Sequence, residues 1–268
     1  MKLYYKYLPI GRLTYLDDEL LRFSQPIDLN DPFECLPQKP NYKEYYDLVK
    51  DIASHLDSKK INGVSNPELD DSFREFTNEY LESIKSGKLD LYNDAYNRIN
   101  KEIGIFSLSK NWNNTLMWSH YTDSHKGVCI GFNSEDEYFK RQINTDGTKF
   151  KLIADVVYSE SRAKIPMILG QQRPLLKPYL TKSLDWKYEE EVRMLSTLNL
   201  SDKILPNIPV DINLFKIPHT IIKEIILGAR ISENDVSTIK VFCKKNGINL
   251  YQSKISDEKF DMDRDRIN

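Results

Sequence analysis

The chain has 268 residues, with 38 Lys and Arg against 40 Asp and Glu, and 40% of its residues are hydrophobic. That balance excludes a disordered chain, which has too little apolar surface to fold, and a nucleic-acid coat, which carries a strong positive charge. No apolar run approaches the roughly 18 residues of a membrane span, the first ten residues lack a cleavage-site pattern, and three widely spaced cysteines argue against a disulfide framework or structural zinc; a cytoplasmic protein without membrane association is expected.

In chain order, LYYKYLP (3–9) alternates aromatic or aliphatic residues with Lys6 and predicts a strand that Pro9 ends. Residues 11–21 predict a short helix with Leu13, Leu16 and Leu20 on one side. The segment 22–35, RFSQPIDLNDPFEC, predicts a shaped loop after a short strand, because Pro32 pushes the residue before it out of the helical region. Asn30, Asp31 and Glu34 read there as turn formers. Residues 42–102 predict a helical insertion packed on the rest: Leu69, Phe73, Phe76, Tyr80 and Ile84 fall on one helix face, between an Asn66-Pro67 start and a Gly87 stop. Strands follow at 103–109, 127–132, 150–158, 192–198, 222–227 and 248–253. Between the last two, Ser232 and Asp235 open a helix that Gly247 closes, so 222–253 reads as a structural crossover with Cys243 as a packed thiol. The irregular order of helices and strands predicts an α+β fold around a mixed central sheet. No GxGxxG or GxxxxGK[ST] motif points to a dinucleotide or P-loop fold.

Two clusters carry chemistry. Residues 105–132, IFSLSKNWNNTLMWSHYTDSHKGVCIGF, run from a strand with Ser107 and Ser109 on one face into a short helix bearing Trp118, His120 and Tyr121. Trp118 suits either core packing or a stacking role, whereas a buried imidazole at 120 would need partners for both nitrogens. In residues 184–195, LDWKYEEEVRML, strand alternation puts Glu189, Glu191 and Arg193 on one face, turned outward or into a cleft, and Glu190, Val192 and Met194 on the other. An ordinary solvated Glu–Arg edge is the competing reading.

LYYKY, LRFSQPIDLNDPFE, FSLSKNWNNTLMWSHYTDSHKGVCIGF, SLDWKYEEEVRML and IILG together resemble an uncharacterised bacterial family, catalogued as a domain of unknown function, whose members occur among abortive-infection and phage-defence genes. The motif order is also similar to that of the ADP-ribosyltransferase superfamily. That resemblance implies an ADP-ribosyltransferase-like fold and NAD as co-substrate, with a toxin-type effector that transfers ADP-ribose to a protein or nucleic-acid acceptor or hydrolyses NAD. Glu191 and Glu189 would face the oxocarbenium-like sugar, with His120 and Tyr121 beside them. Ser107 or Ser109 would hold a ribose, Trp118 or Tyr121 would stack on nicotinamide, and Lys6 or Arg193 would neutralise the pyrophosphate, with Tyr7 or Tyr5 on the same first strand. Lys6 stands where that superfamily has Arg or His. No metal is expected on this reading. Two others compete: a non-catalytic sensor or subunit that binds a defence-system partner protein, and a nuclease using His120 with Glu189, Glu191 and a divalent metal.

Overall fold

In the computed structural model, residues 2–41, 100–140, 142–143, 149–164 and 176–268 are described, together with isolated positions between 43 and 97. The chain begins with strand β1 (Leu3–Leu8), helix α1 (Tyr15–Asp18), β2 (Leu20–Phe23), β3 (Ile103–Ser109), α2 (Thr115–Tyr121) and β4 (Val128–Asn133). Strands β5 (Gln142–Ile143), β6 (Phe150–Asp155), β7 (Val157–Ser159), β8 (Thr181–Ser183) and β9 (Glu191–Thr197) follow. The C-terminal part holds β10 (Lys203–Leu205), β11 (Ile212–Lys216), β12 (Ile222–Leu227), α3 (Glu233–Asn246), β13 (Asn249–Ile255) and β14 (Met262–Arg266).

Nine strands form the main sheet in the order β14-β13-β12-β4-β1-β3-β9-β6-β5, while β10-β11-β2 and β7-β8 pair separately. Within the main sheet β12 and β13 run parallel and the other neighbours antiparallel. The fold is therefore α+β around a mixed sheet, as the irregular element order predicts. The helix face expected at Leu69, Phe73, Phe76, Tyr80 and Ile84, and most of the 42–102 insertion, lie outside the described residues.

Alternation along the strands sorts side chains into two unlike faces. Phe106 and Leu108 of β3, Val192 and Met194 of β9, and Val128, Ile130 and Phe132 of β4 enter one large apolar core. On the opposite face, Tyr5, Tyr7, Trp118 and Cys129 form a second cluster, and Ile103, Ile105, Leu195 and Tyr179 a third. Between those two apolar patches the pleat puts Ser107 and Ser109 beside Arg193 and Glu191, their register partners across β3 and β9.

The C-terminal crossover forms as its sequence suggests. Ser232 caps α3 by accepting from the Asp235 amide, Gly247 closes it at φ 65°, and buried Ile239 and Cys243 cover β12 and β13. Val241 and Phe242 both read in the sequence as covering β12; Phe242 does pack, partly buried, against the same core, whereas Val241 is 71% exposed. Burial pushes the Cys243 thiol up to about 12, in keeping with an inert packed group.

Residues 11–21 depart from expectation. Only Tyr15–Asp18 are α-helical, because Glu19 takes a left-handed φ of 60° and the chain turns into β2, which pairs with β11. The three leucines matched helical spacing over too few turns to tell it from a strand entering the same core. The strand expected over 150–158 also breaks. Val156 donates its amide to the Glu191 carbonyl, and β7 turns away to pair with β8.

Candidate functional site

The site begins where the central sheet opens. β1 pairs with β4 over six register positions but with β3 at one, Tyr5 with Ser109. Beyond that pair, Ser24 takes over the edge of β3 by exchanging both backbone hydrogen bonds with Ile105. Lys6 sits in the gap: its Nζ donates to the Ser107 carbonyl at 2.9 Å and lies 4.9 Å from the Phe106 ring. Lys6 and Phe106 belong to the apolar-core face by alternation, yet the opening lets the ammonium reach the edge of the other strand.

Helix α2 closes one side of the opening. Asn114 caps it by accepting from the Leu116 and Met117 amides, and its own side-chain amide donates to the Tyr188 carbonyl at 3.1 Å. Trp118 is fully buried, donates to the Trp112 carbonyl at 2.7 Å and meets the Tyr7 ring edge-on. The chain leaves the helix through three consecutive left-handed residues, Asp123, Ser124 and His125, into Gly127. A Cβ on Gly127 would lie 2.1 Å from the Leu8 carbonyl oxygen, so only glycine lets β4 start against β1 here.

A cleft of about 410 Å³ follows, lined by Lys6, Asn30, Glu34, Ser107, His120, Tyr121 and Lys182 among others. A groove of about 390 Å³ shares Lys6, Ser24 and Tyr121 with it and extends toward Arg12, Arg22 and Lys203. On the far side of Glu34 and Lys182 lies a third cleft of about 480 Å³, bordered by Arg162, Ser183 and Asp185. The structure thus brings Lys6, Ser107, His120 and Tyr121 to one cleft, with Tyr7 on the adjoining groove.

Behind Lys182 and Ser107 is a buried charge cluster built from two segments far apart in the chain, 34–35 and 179–193. Arg193, fully buried, donates from Nε to Glu191 Oε1 at 2.8 Å and from Nη2 to Glu191 Oε2 at 3.0 Å. Its remaining N–H groups meet the Glu34 carboxylate, the Tyr179 carbonyl at 2.8 Å and Cys35 Sγ at 3.8 Å. That uses the five donors of a guanidinium fork, a set no ammonium supplies. Lys182 Nζ lies 2.6 Å from Glu189, 3.0 Å from Glu34 and 3.3 Å from Glu191. Three carboxylates therefore share two cations in a place almost closed to water.

The two neighbouring glutamates are driven apart. Burial alone would raise Glu191, but Arg193 and Lys182, with hydrogen bonds from Arg193 and Ser107, hold it down at about 2. Burial raises Glu189 above the usual carboxylate range against the pull of Lys182, and the charge on Glu191 adds to the rise. Tyr121 donates its phenol proton to Glu189 Oε1 at 2.6 Å, and its own pKa is raised by burial and by Glu189, so it stays a donor. Tyr121 thus joins the cleft wall to a carboxylate of altered acidity, as do Lys182, bonded to Glu189 and Glu191, and Ser107, bonded to Glu191.

Several expectations need correction. Glu189 and Glu191 do not share a strand face: Glu189 ends a 3-10 helix (Leu184–Glu189), and Glu190 takes a left-handed φ of 44° before β9 begins. Their carboxylates converge because of that turn. Neither forms a solvated edge, since both are buried. Glu191 and Arg193 pair inward, behind Lys182, and the fully buried Arg193 is not a pyrophosphate ligand on the cleft wall. Trp118 is core and takes no part in the cleft. Ser109 is buried and donates to the Glu189 carbonyl at 2.7 Å, which fixes the turn before β9. His120 is exposed, with Nδ1 3.3 Å from the Tyr188 hydroxyl. Glu34, read as a turn former, is a buried member of the cluster, and Lys182 had no assigned role. Their sequence signals are slight: a lone carboxylate between Phe33 and Cys35, and one lysine between Leu180 and Leu184.

Among the described residues no three His, Cys, Asp or Glu side chains are placed to hold a metal ion. The carboxylate oxygens that a nuclease metal would need are turned instead to Lys182 and Arg193, so the nuclease reading gains no support. Among the described residues no helix is long and apolar enough to cross a membrane.

Residues 117–194 match a family described as "Protein of unknown function (DUF2971)". The matched segment contains His120, Tyr121, Lys182, Glu189, Glu191 and Arg193, and leaves out Lys6, Glu34 and Ser107. No curated protein and no solved structure matches the chain.

Proposed function

We infer that the cleft is a glycosyl-transfer site that breaks the nicotinamide–ribose bond of NAD, passing ADP-ribose to water or to a protein or nucleic-acid acceptor. The observation that carries this reading is the pair Glu189 and Glu191, pushed to opposite acidities behind a cleft-lining tyrosine. Such a split is how one site obtains both a proton acceptor and a permanent negative charge. In the reaction the C1′–N bond breaks, its electron pair leaves with neutral nicotinamide, and the ribose becomes oxocarbenium-like. Glu191, kept ionised, contributes negative potential to that cation. The oxygen of water or acceptor bonds to C1′, and its proton passes through the Tyr121 hydroxyl to Glu189. Ser107 and His120 are cleft-wall groups within reach of sugar hydroxyls. The toxin-type or defence role follows from the resemblance to abortive-infection proteins and is part of the same proposal.

The test incubates purified protein with NAD and follows nicotinamide release and labelled ADP-ribose on proteins and nucleic acids. Glu189→Gln and Tyr121→Phe should each lower the rate about 10²–10³-fold, as loss of a transition-state charge or hydrogen bond does. Wild-type expression should deplete cellular NAD and slow growth, and Glu191→Gln should abolish both. No nicotinamide release, together with unchanged cellular NAD during phage challenge, would overturn the reading.

One observation favours a second reading, a non-catalytic sensor or partner-binding subunit. Glu189 and Glu191 lie behind the cleft wall with their carboxylates fully engaged by protein groups, as a purely structural network would be. On that reading Tyr121→Phe changes stability alone.

A further inference from the structure

The groove that leaves the cleft toward β2 is lined by four cations, Lys6, Arg12, Arg22 and Lys203, and one carboxylate, Asp18. Asp18 is engaged locally, accepting from the Leu20 amide at 2.9 Å. Arg22 pairs with Asp28 on the neighbouring wall, yet its Nε is buried with no acceptor among the described residues. Among the described residues the Lys6 ammonium meets a backbone carbonyl and a ring face, and Arg12 stands close enough to repel it. Burial and that repulsion lower Lys6 to about 8 in spite of Glu191 and Glu189. Leu21, Ile212, Leu214 and Leu205 supply apolar wall between the charges. Like charges gathered around a groove of small-molecule size, beside a guanidinium N–H with no acceptor among the described residues, suit an anionic guest.

We propose that this groove binds the diphosphate of a nucleotide-type small molecule, with Arg12, Arg22, Lys203 and Lys6 around its oxygens. That this anion is the far end of the molecule cleaved beside Tyr121 rests on the glycosyl-transfer reading; the binding itself does not. Two features favour a compact diphosphate over a nucleic-acid backbone. The groove is bounded, at about 390 Å³, and the chain as a whole is slightly acidic, with a formal charge of −2.

Calorimetric titration of the full chain with inorganic pyrophosphate, ADP, adenosine and a ten-nucleotide single strand tests this. Arg12→Glu and Lys203→Glu, singly and together, are the variants; both positions are exposed, so folding should be unaffected, and a thermal melt checks it. The expected result is saturable binding of pyrophosphate and ADP but not adenosine, weakened at least tenfold by the double variant and by added salt. Absence of pyrophosphate and ADP binding at millimolar concentration, or binding that the folded double variant retains, overturns the proposal. Tighter, salt-steep binding of the oligonucleotide, lost in the same variant, also overturns it in favour of a backbone-phosphate surface. If ADP binds and the double variant loses it while nicotinamide release is never seen, the diphosphate site stands and the catalytic reading falls.

Discussion

The two faces of β3 and β9 are made of alternate residues of the same strands and are held together in opposite ways. On one, Phe106, Leu108, Val192 and Met194 pack without direction, and Phe106 stacks on Phe23 with ring centroids 5.1 Å apart. On the other, Glu191 and Arg193 meet Glu34 and Lys182 at fixed angles and distances. The apolar face draws its stability from area removed from water, roughly 25 cal/mol per Å². The charged face must repay the desolvation of five ionic groups, so its value lies less in stability than in holding a set of charges in one geometry.

The sharpest way to break this comparison is to remove one member from each face. Phe106→Ala should cost about 3–5 kcal/mol by leaving a cavity, with little dependence on pH. Arg193→Ala should cost a similar ~3–5 kcal/mol at neutral pH by leaving Glu191 and Glu34 uncompensated, and less near pH 3, where carboxylates can take up protons. Urea unfolding at both pH values separates the two; equal pH behaviour would mean the faces are not distinct in kind.

Acid should next act on the charged face alone. Glu191 is depressed in the folded chain from the ordinary 4.5 to about 2, so as pH falls the unfolded chain binds the proton first. The contribution is complete above about 4.5 and is lost as pH falls toward 2, on the order of 3 kcal/mol in all. Glu189, shifted upward, works in the opposite sense: the folded chain protonates first, and stability gains as pH falls through its raised value. Glu189→Gln should therefore steepen the acid loss, measured by thermal melts from pH 6 to 2.5. The smallest effect belongs to the link between the faces and the cleft: Asn114→Ala, which uncaps α2 and frees the Tyr188 carbonyl, should cost about 1 kcal/mol. Binding or activity at Tyr121 should fall with it if α2 sets that residue's place.

The same division explains what could be read from the sequence. The apolar alternation of β3, β4 and β12 and the capped α3 are local patterns, and they predict the mixed sheet and its parallel crossover. Helix α2 is legible as a short helix bearing Trp118, His120 and Tyr121, and its cap is as local, Asn114 lying two and three residues from the amides it satisfies. The charged face is not local: Glu34 and Arg193 lie 159 positions apart, and nothing near either marks the other. Alternation correctly put Glu191 with Arg193 but misplaced Glu189, because a left-handed Glu190 is not visible in a run of three glutamates. Trp118 and Ser109 looked chemical by residue type, and only burial reveals them as framework. Residues 11–21 failed for a plainer reason, since four residues of helix followed by four of strand fit either period.

Glu34 and Lys182 line both the Tyr121 cleft and the separate cleft toward Arg162 and Asp185. They form a partition between two chambers. A guest that drew Lys182 toward one chamber would weaken its hold on Glu189 and Glu191 and so reset the acidity behind the other. By linkage, whatever free energy the first guest adds to or takes from the second is returned in equal measure when their order is reversed.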